Sequence, residues 1–214
     1  MRRSVPRVVN LILATNNPHK VGEIRAILTG LSCTILSFAD FPGFPEPVES
    51  GTTLRENAIL KARSVYDATR EWALADDSGL EIDALDGAPG VYSARFAGPG
   101  CTFADNNAKV LRLMEHVPEG RRAARFHCVA ALALDHERIE TFDGVVEGFI
   151  TRVEKGDGGF GYDPIFFSPE LRCTFAEVSA DVKNRISHRG RAFRQVAQRL
   201  RNLAAGEQLP PIAT

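Results

Sequence analysis

A mixed β-sheet with helices packed around it, the α/β class, is predicted by three features of the 214-residue sequence. Strand-like and helix-like segments alternate early, consecutive strand-like runs follow later, and the chain closes on one long amphipathic helix. The length suits one domain over residues 1–214 and can bury a sizeable core. Val8 to Ala14 is a short apolar run rich in branched residues, the pattern of a buried strand. Asn17-Pro18 then offers an N-cap and a first-turn proline for a helix to about Leu28, with Val21, Ile24, Ala26 and Ile27 as its apolar side. Residues 33–38 read as a second strand. The stretch that follows to Gly51 carries Pro42, Pro45 and Pro47 and reads as a long loop. Thr53-Leu54-Arg55-Glu56 fits a capping box, opening a helix to about Thr69.

Trp72 to Ala75 reads as a strand that stops at Asp76-Asp77-Ser78-Gly79. Thr102 caps a helix through about His116, and Arg125 to Leu134 with Glu137 to Val146 form a hairpin joined at Asp135-His136. A strand over 146–153, a glycine-rich loop and a short strand from Pro164 to Phe167 come next. The last helix, His188 to Leu203, buries Phe193, Val196, Ala197 and Leu200. The tail beyond Gly206 is expected to fray.

Composition removes several function classes. With 26 basic and 27 acidic residues the formal charge is −1, so no global positive field draws in a nucleic-acid polymer. Cys33, Cys101, Cys128 and Cys173 form no C-x-x-C pair, against both a zinc site and a disulfide framework. The longest apolar stretch, Cys128 to Leu134, is far short of a membrane span. The arginine-rich start before Val8 lacks a signal-cleavage pattern, and a cytoplasmic protein is expected.

Four places carry candidate chemistry. Thr15-Asn16-Asn17-Pro18-His19-Lys20 lies where a strand feeds a helix, so amide donors and one ammonium converge as at a phosphate site. Asp76 and Asp77 are adjacent carboxylates at a strand end, and their side chains point to different sides. One can face a cleft and bind metal or activate water while the other fixes the backbone. If Glu49 approaches Asp77, the two supply the carboxylates that Mg²⁺ prefers when substrate phosphates and water complete its shell. Gly156-x-Gly158-x-x-Gly161 matches a dinucleotide fingerprint in letters but runs into Tyr162-Asp163-Pro164 rather than a helix, so the cofactor reading fails. It still brings backbone close to a ligand, with Phe160 and Tyr162 as stacking surfaces. Lys183 and Ser187-His188-Arg189-Gly190 gather positive charge at the start of the last helix. Together these describe a site for a polyanionic, ring-bearing ligand with a divalent ion.

The chain resembles the inosine/xanthosine triphosphate pyrophosphatase family. The matching segments are Leu13-Ala14-Thr15-Asn16-Asn17 with Lys20, Glu56 to Ala62, Ala75-Asp76-Asp77-Ser78-Gly79-Leu80, Gly87 to Arg95, Gly158 to Pro164 and Ser187-His188-Arg189, in the family's order over residues 10–200. The resemblance implies an elongated mixed sheet in two lobes with a nucleotide cleft between them, and a homodimer. It implies hydrolysis of ITP, dITP and XTP to monophosphate and pyrophosphate with Mg²⁺, or Mn²⁺ in its place. By position, Asp77 resembles the proton acceptor and a metal ligand, with Glu49, or Glu46 in the same loop, as the second metal-linked carboxylate. Thr15, Asn16, Asn17, Pro18, His19, Lys20 and Lys61 fall on the phosphate side. Asp76, Ser78, Phe160, Gly161, Tyr162, Asp163, Lys183, His188 and Arg189 complete the implied substrate contacts, the last three near the base. The family often has glycine at Asn16 and an acidic residue at Val182. A pyrimidine-directed, septum-inhibitor-like pyrophosphatase is the rival enzyme, against which Ser187-His188-Arg189 stands. A silent nucleotide-binding module is the rival of another class.

Overall fold

The computed structural model describes residues 9–41, 47 and 49–207; Glu46 and the tail with Pro210 and Pro211 lie outside them. Seven strands form one mixed sheet in the order β2-β1-β3-β4-β5-β6-β7. The first three are β1 (Val9–Leu13), β2 (Cys33–Ser37) and β3 (Trp72–Ile82), interleaved with helices α1 (Pro18–Ile27) and α2 (Leu54–Thr69). After α3 (Phe103–Leu113) come β4 (Ala123–Ala133), β5 (Ile139–Ile150), β6 (Phe166–Ser168) and β7 (Cys173–Thr174), then α4 (Ala180–Ile186) and α5 (His188–Ala204). β1 runs parallel to both β2 and β3, as strand-helix-strand connections require. All later pairings are antiparallel.

Two faces of the sheet are covered by different helices. Leu11, Leu13 and Leu74 pack with α1 and α5 through Ile24, Phe193, Val196 and Leu200. Ile12, Ala73 and Ala75 pack with α2 through Ala58, Ala62 and Val65. A third cluster, with Leu80, Val110, Phe126, Phe166 and Phe175, builds the other end of the molecule around α3 and the short strands. These clusters are the cores of the two expected lobes.

Three elements differ from the sequence expectation. β3 does not stop at Asp76, because β4 pairs with it continuously from Ala73 to Ile82. The carboxylate pair therefore sits in mid-strand. β5 is one strand rather than two; Gly144 and Gly148 do not break it but relieve crowding. A Cβ at Gly144 would strike the His188 carbonyl of α5, and one at Gly148 would strike Phe166 and Phe167. Helix α4, left unassigned by the sequence, has only 7 residues, too few to show a helical period.

The site follows from where β1 ends. It pairs with β3 only as far as Leu13 against Leu74, and Ala14 N–H makes the last bond, to the Leu74 carbonyl. Farther along, the same edge of β3 is covered by the 3₁₀ segment Gly90–Arg95, where Ser93 Oγ accepts from Leu80 N–H. Between them the edge around Asp77 and Ser78 faces a cleft of about 630 Å³. This is the crevice beyond the carboxyl end of a parallel strand, where open α/β sheets bind ligands.

Candidate active site

The turn into α1 is held from within. Asn17 Oδ1 accepts from the His19 and Lys20 amides at 3.0 and 3.3 Å, and Thr15 Oγ1 accepts from Asn17 N–H. The Asn17 side chain thus takes two amides that the sequence offers to an anion. What the turn presents to the cleft is Thr15, Asn17 and Lys20. Asn16 and Pro18 are exposed outside its lining, and the His19 ring stacks on Phe160 at 5.1 Å.

Strand alternation sends Asp76 and Asp77 to opposite faces. Asp77 points toward α2, where Asn57 Nδ2 donates to it at 3.1 Å and Lys61 Nζ at 3.2 Å. Lys61 Nζ also reaches Glu49 Oε1 at 2.8 Å, and Arg95 lies 3.6 Å from the other Glu49 oxygen. Asn57 and Lys61 are four residues apart on one face of α2. Asn57 Oδ1 accepts from Gly51 N–H, tying the loop that carries Glu49 to the strand. Burial, then the neighbouring Glu49 charge, push the Asp77 carboxyl up against the opposing pull of Lys61 and Lys20. Burial also raises Glu49, but Lys61, Lys20 and Arg95 outweigh it and hold that group low.

Glu49 and Asp77 thus converge on one cation, here the Lys61 ammonium. Among the described residues no cluster of three or more His, Cys, Asp or Glu could hold a metal. Two hard carboxylates suit a divalent ion that draws most of its oxygens from substrate and water, so the donor set fits Mg²⁺.

Asp76 points the other way and is fully buried. Its Oδ2 receives Lys20 Nζ at 3.0 Å, Arg189 Nη2 at 3.2 Å and Ser78 Oγ at 2.9 Å. Burial would raise this carboxyl, but Lys20, Arg189 and Lys61 together hold it far below the usual range. Arg189 Nη1 donates to Glu23 Oε2 at 2.6 Å, and Glu23 Oε1 meets Lys183 Nζ at 2.9 Å. Lys183 continues to Asp163 Oδ2 at 2.5 Å, and that oxygen also accepts from Phe160 N–H. The glycine-rich loop is therefore anchored through Asp163, and it leads into a short turn and β6 rather than a helix. Tyr162 is buried, and its hydroxyl donates to the Ser93 carbonyl.

His188 follows the Ser187 N-cap of α5 and stacks on Phe126 at 4.6 Å. Burial, then Arg189 and Lys183, push its pKa well below the ordinary value, so the ring is neutral. Its Nδ1 is buried with no hydrogen-bond partner. Lys183 Nζ lies over the Phe160 ring at 4.5 Å, and Phe103 of α3 closes on Phe160 at 6.1 Å.

The cleft therefore gathers Thr15, Asn17, Lys20, Glu49, Lys61, Asp77 and Ser78. Phe160, Gly161, Tyr162, Asp163, Lys183, His188 and Arg189 line it as well. Residue-by-residue reading missed Glu23 and Asn57. Glu23 had a signal: it stands three residues after Lys20 and beside Ile24, a carboxylate on the buried side of an amphipathic helix.

The model of the Ham1 family matches residues 11–199. The dITP/XTP pyrophosphatase of Desulforamulus reducens is 52% identical over 195 residues, which cover 91% of this chain and 97% of that protein. The one from Geobacter sulfurreducens is 50% identical over 186 residues, 87% of this chain and 94% of that protein. Among solved structures, a HAM1 protein from Coxiella burnetii superposes with a TM-score of 0.84 at 42% identity, covering 91% of this chain and all of that one. The Staphylococcus aureus Ham1 protein does so at 0.81 and 35% identity, over 91% of this chain and 99% of its own. On sequence and fold together, the chain belongs to the Ham1 family.

Proposed function

We propose that the chain hydrolyses non-standard purine nucleoside triphosphates, ITP, dITP and XTP, to the monophosphate and pyrophosphate, and so clears them from the nucleotide pool. One observation carries this reading. A single cleft is lined both by lysines and carboxylates, Lys20, Lys61, Glu49 and Asp77, and by aromatic and donor groups, Phe160, Lys183 and His188. The names of the relatives agree with it.

In this reading Lys20 and Lys61 neutralise charge that develops on the phosphates, with the turn residues Thr15 to His19 shaping the phosphate side. Asp77, its carboxyl raised by burial, orients and deprotonates the water that attacks the α-phosphorus. Glu49 and Asp77 would hold Mg²⁺ or Mn²⁺, which would supply positive charge to offset that of the phosphates. Asn57 and Lys61 keep the Asp77 carboxylate aimed at the cleft.

Base selection falls to the aromatic and donor groups. Hypoxanthine and xanthine carry a keto acceptor at the six-position where adenine carries an amino donor. The neutral His188 ring, whose Nδ1 has no hydrogen-bond partner, and the N–H groups of Arg189 offer donors to the keto oxygen. A buried donor left unpaired costs roughly 1–3 kcal/mol, about ten- to a hundredfold per contact. Guanine shares the keto group, so this contact alone does not reject GTP. A cytoplasmic homodimer completes the proposal, in keeping with the resemblance; no helix among the described residues is long and apolar enough to cross a membrane.

The test is pyrophosphate release from ITP, XTP, GTP, ATP and dUTP by the purified chain, with and without a chelator. ITP and XTP are expected to exceed ATP by about tenfold or more in kcat/KM, with release abolished by chelation. Equal values for ITP and ATP would refute the base-reading assignment, and preference for dUTP would favour the pyrimidine-directed alternative.

A further inference from the structure

We propose that Asp76 is a positioning residue that makes phosphate binding and base reading a single event. It does so by sharing one carboxylate oxygen between Lys20 on the phosphate side and Arg189 on the base side. The inference rests on the assignment of the cleft given above and adds a coupling between its two ends.

The physical basis is an unbroken chain of alternating charge running Asp163, Lys183, Glu23, Arg189, Asp76, Lys20. Its links measure 2.5, 2.9, 2.6, 3.2 and 3.0 Å. Five members are buried; only Lys20, at 17% side-chain exposure, reaches toward solvent. In such a low-dielectric setting a displaced charge is answered by its neighbours rather than by water.

Asp76 is the link that has two ways to be satisfied. Its Oδ2 carries donors from three residues, whereas its Oδ1 is buried with none. While Lys20 sits on Oδ2, the Arg189 fork is crowded onto that same oxygen, with Nε and Nη2 at 3.4 and 3.2 Å. When an anion in the cleft draws the Lys20 ammonium away, Arg189 becomes the chief partner of Asp76, and the vacant Oδ1 admits a bidentate fork. Bidentate guanidinium–carboxylate pairs fix orientation as well as charge. Arg189 immediately follows His188 on α5, so fixing its guanidinium sets the donors that face the base. A two-state element biased by both ends is what physical coupling between sites requires.

The test separates the ligand into its two halves. Calorimetry with magnesium present measures inosine, which has a base and no charge, with and without saturating pyrophosphate. In the wild-type protein pyrophosphate is expected to tighten inosine by at least about fivefold, the lower end of ordinary coupling between sites. Adenosine, which lacks the keto acceptor, should change by less than about twofold. In Asp76→Asn the inosine affinity should be the same with and without pyrophosphate. Lys20→Ala removes only the partly exposed end of the chain, so it reports even where Asp76→Asn does not fold; there too the coupling should vanish. A purely structural Asp76 would weaken both ligands and leave their mutual effect intact, and that result overturns the proposal. So does independent binding of the two halves in the wild type. Failure of inosine and pyrophosphate to compete with ITP overturns the cleft assignment itself, and the coupling with it.

Discussion

Asp76 and Asp77 are neighbours in the chain with opposite electrostatic fates, set by which face of β3 each occupies. Asp76 meets two cations and stays ionised; Asp77 meets one cation and a second carboxylate, and its pKa rises. A raised carboxyl in a cleft suits proton transfer, and a lowered one suits holding cations in place. Asp77→Asn should therefore fold normally, by circular dichroism and thermal melting, and lose at least about 10² in turnover of ITP, as loss of a positioned base does. Near-normal turnover in the purified variant would remove Asp77 from the mechanism. At this scale the sequence was informative because a strand period fixes sidedness: two adjacent acids must part company. Glu23 was harder to read, since its partners Lys183 and Arg189 are more than 150 residues away and no local spacing announces them.

Between elements, Glu23 adds buried ion pairs from α1 to α4 and α5, through Lys183 and Arg189. Burial would raise its pKa, but Arg189 and Lys183 outweigh that and hold it below the ordinary value. A depressed folded-state pKa adds stability that is complete above about pH 4.3, the unfolded value for glutamate, and is lost as pH falls through the folded value. Glu23→Gln is expected to destabilise the fold by about 3 kcal/mol at neutral pH, since it leaves two buried cations short of charge. The gap between wild type and variant should narrow in melts as pH falls below about 4.3 and close only once pH has passed below the depressed folded-state pKa, where the wild-type carboxyl is neutral too. A gap independent of pH would mean that Glu23 acts by packing alone. Capping signals placed α1, α2 and α3 well, because Asn17, Thr53 and Thr102 each accept from amides of the first turn. The run of β3 past Ala75 was not readable, because charged residues in mid-strand are held there by partners distant in sequence. The close approach of α5 to Gly144 is likewise invisible until the helix crossing above it is known.

Across the whole molecule, the early end of β1 and the later cover by Gly90–Arg95 open one cleft between the two lobes. The order of motifs along the chain anticipated that cleft, whereas its internal wiring came only from tertiary packing. In the proposed reaction, Asp77 beside Lys61 directs water onto the α-phosphorus of a triphosphate whose base lies toward His188 and Arg189. The most direct measurement is hydrolysis of ITP in ¹⁸O-labelled water, with products resolved by mass spectrometry. The label is expected in IMP, with unlabelled pyrophosphate formed in equal amount. Label in the pyrophosphate, or release of orthophosphate with IDP, would contradict the account.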